Sequence, residues 1–111
     1  MVALWLWACG SPGTVVAEQV VPAACGLCVF HMEDARGCFW AVEIDGAFHA
    51  AGGAAVPPYD MVEAHEEQGQ CKVERKARVA GTIMADGRFV ATTFEVLPYD
   101  GSGRKGTREH E

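Results

Sequence analysis

Basic residues are in short supply. Nine lysines and arginines stand against fifteen aspartates and glutamates in 111 residues, a net charge of −6. Neutralising phosphates needs a basic surface, so this balance argues against a nucleic-acid binder. Serine is scarcer still. Ser11 and Ser102 are the only two, and neither sits in a Gly-x-Ser-x-Gly elbow. No Gly-rich phosphate loop is present, and the length disfavours a Rossmann enzyme, a TIM barrel or a kinase. The run Met1–Ala8 is purely apolar, but spanning a membrane as a helix takes ~20 residues. No internal repeat or heptad pattern occurs.

What remains is a single domain's worth of chain, half hydrophobic, with thirteen glycines and five cysteines. It has the apolar content to bury a core.

The apolar run is followed by Cys9, Gly10 and Ser11. Apolar residues, a small residue and then Cys resemble the lipobox of bacterial lipoproteins. That resemblance implies cleavage before Cys9, lipid on its sulfur, and attachment to a membrane through that anchor. The expected location is therefore the cell envelope or periplasm. The expected layout is a truncated signal-like segment over 1–8 and a tether over 9–18. A β-rich domain follows over 19–97, and a disordered tail over 98–111.

Within the domain, Val15–Val21 reads as a short strand interrupted by Pro22. Phe39–Ile44 alternates, with Trp40, Val42 and Ile44 on one face. Asp45-Gly46 then turns the chain into Ala47–Ala51. Gly52–Asp60 reads as a crossover, and Met61–Glu67 as a helical turn ended by Gly69. Cys71–Met84 alternates and reads as a strand, although its charged stretch also has helix propensity. Asp86-Gly87 turns it into Arg88–Leu97. The fold class is mainly β: a small antiparallel barrel or meander, with an OB-like barrel as one option, and a cysteine-rich N-terminal loop.

With Cys9 set aside, Cys25, Cys28, Cys38 and Cys71 remain. Cys25-Gly26-Leu27-Cys28 places two sulfurs close enough to share one ion. Cys38 and Cys71 would complete a closed tetrahedral thiolate site. Two disulfides are the equal alternative in an exported domain, with three possible connectivities. The motif also resembles the redox motif of thioredoxin-like proteins, which works at the start of a helix in a βαβ setting that is missing here. Convergence of Cys38 and Cys71 on the Cys25–Cys28 loop is expected, because the open end of a small barrel needs a staple.

Met32 and His65 are possible additional ligands; Cys and Met suit copper(I), and His suits copper or zinc. Cys25-x-x-Cys28 with Met32 resembles the metal-binding start of exported copper-delivery lipoproteins. His31, His49 and His110 read as surface or tail residues. Phe30, Phe39 or Tyr59 would be the contacts if the domain instead binds an envelope protein. Roughly 75 barrel residues leave little room for a catalytic cleft, so no enzyme is expected.

The order Cys25-Gly26-Leu27-Cys28-Val29-Phe30-His31-Met32, Cys38, Ala41-Val42-Glu43-Ile44-Asp45-Gly46, Ala64-His65 and Cys71 is similar to that of a family of small exported bacterial proteins of unknown function. The similarity runs from about Gln19 to Leu97. The expected function is non-catalytic binding or handling of zinc or copper at the cell envelope. The alternative is a disulfide-stapled, lipid-anchored interaction domain.

Overall fold

The computed structural model describes residues 13–106. Its elements are β1 (Gly13–Cys25), β2 (Trp40–Ile44), β3 (Ala47–Gly52), α1 (Met61–Ala64), β4 (Arg75–Met84) and β5 (Phe89–Val96). Both Asp-Gly pairs make turns, of different kinds. Asp45 and Gly46 have φ of 53° and 83°. Positive φ at both positions gives the type I′ turn, whose twist suits the hairpin β2–β3. At the other pair only the glycine, Gly87, is left-handed, at φ 93°. Its N–H donates to the Met84 carbonyl at 2.9 Å, and the Met84 N–H donates to Arg88 at 2.7 Å. That is a three-residue hairpin with a glycine bulge, joining β4 to β5.

The strands close in the order β1-β2-β3-β5-β4. Every pair is antiparallel except β3 with β5, where Ala51 faces Phe89 and Gly52 faces Val90. The small barrel expected from the sequence is formed, and its single parallel pair is the closure that the OB-like option implies. The Gly52–Asp60 crossover lets β4 return beside β1, so β5 closes against β3 in parallel. The result is a five-stranded Greek-key barrel of OB type.

β1 is longer than expected. It runs through Pro22, where it pairs with β4 alone; β2 joins only from Ala23. Proline is tolerated at such an edge-like position. Residues 13–18, expected as tether, are strand paired to β4, with a register shift between Val16 and Gln19. Cys71 does not open a strand. It lies in a turn, its N–H donating to the Ala64 carbonyl, and β4 begins at Arg75. The Asp60 side chain caps α1, accepting from the Val62 and Glu63 amides.

The tail is not disordered as far as Gly106. Lys105 bridges to Val73, and the Gly106 N–H donates to the Lys72 carbonyl at 2.7 Å. Arg104 pairs with Glu74 at 2.9 Å and Glu43 at 2.8 Å. Two carboxylates on separate parts of the chain thus hold a segment whose composition reads as free. Residues 1–12 and 107–111, including Cys9 and His110, lie outside the described residues.

The barrel interior holds Val21, Trp40, Val42, Ile44, Val79, Phe89 and Phe94. The Trp40, Val42 and Ile44 alternation therefore points inward as read. Ala41, on the opposite face of β2, is nonetheless fully buried. A second core covers it, built from Ala24, Cys25, Cys28, Val29, Phe30, Ala64 and Cys71.

Candidate metal centre

Chain direction brings the sulfurs together. β1 ends at Cys25 and runs antiparallel to both β2 and β4. The end of β1 therefore shares one end of the barrel with the starts of β2 and β4. Cys38 lies two residues before β2, and Cys71 four before β4. The Sγ atoms of Cys25, Cys28, Cys38 and Cys71 all lie within 4.8 Å of one another. Cys38 and Cys71 are 3.6 Å apart. A tetrahedral site with ~2.3 Å bonds needs sulfurs about 3.8 Å apart. Contraction of the widest pairs by about 1 Å completes it.

Backbone bonds fix the loop that carries the first pair. The Gly26 N–H donates to the Phe39 carbonyl, and the Val29 and Phe30 amides donate to the Cys25 carbonyl. The Cys28 N–H points to the Cys25 sulfur at 3.4 Å. Gly26 is needed for close approach, since a Cβ there would lie 2.3 Å from the Phe39 ring. On the other side, the Cys25 N–H donates to the Gln70 carbonyl, tying the loop to the turn that bears Cys71. The Tyr59 hydroxyl lies 2.9 Å from the Cys71 sulfur.

Cys25, Cys28 and Cys71 are buried, and Cys38 is half-buried. All four are free, so neither disulfide of the alternative reading is formed. Their protonation is shared. The hydrogen bond from Cys71, with further help from the Cys28 amide, brings the Cys25 thiol down to about 4. Burial, then the Cys25 charge, pushes Cys28 up to about 12. Cys71 is raised chiefly by its bond to Cys25, and Cys38 chiefly by burial. Without a cation, negative charge in the cluster favours Cys25, and its neighbours are held toward the protonated form. A second negative charge is disfavoured until a positive ion enters.

The possible extra ligands fare differently. His65 is not in the group; it is exposed, and its ring nitrogen bonds the Met61 carbonyl at 2.7 Å. Met32 packs against the cysteine-containing core. His31 is exposed, whereas His49 is half-buried and bonds the Gly87 carbonyl at 2.8 Å. Of the three aromatics read as partner contacts, Phe30 is buried and Phe39 and Tyr59 are half-buried. Phe30 stacks on Phe48 at 4.6 Å under the Arg104 guanidinium. Phe39 and Tyr59 pack against the cysteines. The role of Tyr59 beside Cys71 had no sequence signal, because twelve residues and a helical turn separate the two.

The chain belongs to a family of unknown function, DUF6370, whose model matches residues 19–97. No curated protein and no solved structure matches it.

Proposed function

We propose that this domain binds one zinc or copper(I) ion through Cys25, Cys28, Cys38 and Cys71, and that it catalyses no reaction. The mutual approach of four sulfurs to within 4.8 Å carries this reading. Four thiolates in tetrahedral array suit zinc, and soft sulfur also suits copper(I). Four protein ligands leave no open position for a substrate, which marks a structural or metal-handling centre. Thiol exchange is the weaker reading. Cys25 has the lowered thiol, but it is completely buried and a disulfide partner cannot reach it without local opening.

The reading places the domain at the cell envelope, tethered by lipid on Cys9. Labelled fatty acid is expected on the wild-type chain and not on Cys9→Ser; equal labelling of both contradicts the anchor. For the metal, native mass of the reduced protein after incubation with zinc is expected to show one ion per chain. The ion is expected to be lost in acid and not bound when all four cysteines are replaced by serine. Equal uptake by that variant overturns the assignment.

A further inference from the structure

We infer that the barrel end beside the cysteines carries a second site, a pocket for the carboxylate of a small, partly apolar ligand. A cavity of about 360 Å³ opens there, lined among others by Trp40, Pro57, Pro58, Gln70, Arg75 and Val96. That volume falls in the range of small-molecule sites.

Two polar groups of this lining are unpaired. The Trp40 indole Nε1 and the Arg75 Nε are buried donors with no hydrogen-bond partner among the described residues. Trp40 itself is 95% buried, being 5% exposed. Buried donors are nearly always paired in folded proteins, and both of these belong to residues of the cavity wall.

Charge selects the kind of acceptor. The other Arg75 nitrogens donate to the carbonyls of Gln68 and Leu97, at 2.7 and 2.9 Å. Among the described residues no carboxylate lies within 4.0 Å of this guanidinium. The nearest groups to its charge are those two carbonyls and the face of Tyr99 at 5.9 Å. An arginine so placed suits a carboxylate. Pro57, Pro58 and Val96 suit an apolar body attached to it. Glu63 and Glu66 also line the cavity and set its limit. They disfavour multiply charged anions, so a monocarboxylate fits best. The two orphan nitrogens are shielded from water, so the ligand's oxygen reaches them by entering the cavity and shifting its wall. The lining contains no cysteine, and the inference stands apart from the metal reading.

The test is titration of the full, nitrogen-15-labelled chain, followed by NMR at the Trp40 indole N–H and the Arg75 Nε–H. The probes are 4-methylpentanoate, N-acetyl-Ala-Leu and the C-terminal amide of N-acetyl-Ala-Leu. At least one carboxylate is expected to shift both signals saturably, and the amide is expected to leave them in place. Preference for 4-methylpentanoate identifies a free acid, and preference for N-acetyl-Ala-Leu a peptide terminus. Absence of a saturable shift with either carboxylate, or an equal shift with the amide, overturns the site. Glu63→Gln with Glu66→Gln, both exposed, is expected to tighten carboxylate binding several-fold; unchanged or weaker binding overturns it. Arg75→Lys, checked for folding, is expected to weaken binding at least tenfold, and unchanged affinity also overturns it.

Discussion

The Tyr59 hydroxyl sits 2.9 Å from the Cys71 sulfur, while its ring meets Trp40 edge-on at 6.2 Å. One side chain thus links the barrel interior to the cysteine cluster. Burial, with the neighbouring Cys71, holds the hydroxyl far above its ordinary range, so it stays protonated and donates.

Tyr59→Phe keeps the ring and removes the donor. Hydrogen bonds from neighbouring groups orient metal ligands, and losing one typically costs 10–100-fold in affinity. Competition against a chromophoric zinc chelator is expected to show at least tenfold weaker binding, with stability changed by about 1 kcal/mol or less. Unchanged affinity means that the contact does not tune the site.

The metal-free protein is expected to lose stability in alkali. Cys28 is raised from 9.0 to about 12, and Cys38 and Cys71 are raised with it. Above pH 9 the unfolded chain releases these protons while the folded chain keeps them. The unfolded state then binds fewer protons, so stability falls as pH rises from about 9 toward 12. Cys25 works oppositely: its lowered thiol gives stability that is lost as pH falls toward about 4. Thermal unfolding with chelator and reductant should show the alkaline decline. Zinc should flatten it, because the bound thiols are already deprotonated. The same slope with and without zinc contradicts this.

Arg104 holds the C-terminal segment against the barrel through Glu43 and the nearly buried Glu74 carboxylate, whose side chain is 7% exposed. Arg104→Ala strands that carboxylate. The expected loss is about 1–3 kcal/mol in urea unfolding. Faster hydrogen exchange is expected at the Glu74 amide, which donates to the Arg104 carbonyl at 2.7 Å. A neutral effect would mean that the segment is held by its backbone alone.

Much of the barrel is legible in the sequence, because its signals are local. Asp45-Gly46 and Asp86-Gly87 announce their hairpins, and the Trp40, Val42 and Ile44 alternation announces a core face. The parallel closure of β3 on β5 is not legible, since it depends on where the Gly52–Asp60 crossover travels. Nor is the ordered tail, whose Arg104 finds partners 61 and 30 residues away. The cysteine centre is legible as a set of residues and as a convergence at the barrel's end. Its surroundings are not. Tyr59 reads as a surface aromatic, and Cys71 reads as a strand residue because alternation carries through a turn.

Gly26 has no room for a side chain in the present arrangement. A Cβ would lie 2.3 and 2.5 Å from two atoms of the Phe39 ring and 3.0 Å from the Met32 sulfur. Gly26→Ala must push the ring away from the cysteines. The expected destabilisation is about 1–3 kcal/mol, with weaker zinc binding. A variant as stable as wild type, with unchanged zinc affinity, would show that Phe39 moves freely.

One ion bound by the sulfurs of Cys25, Cys28, Cys38 and Cys71 would have a distinct scattering signature. X-ray absorption at the metal edge of the zinc-loaded, reduced protein tests this arrangement most directly. Four sulfur scatterers at ~2.3 Å are expected, with no nitrogen or oxygen bound to the metal. The Cys38→Ser variant, altered at the least buried ligand, should lose one sulfur from that shell. A spectrum dominated by nitrogen or oxygen, or one unchanged by Cys38→Ser, would contradict it.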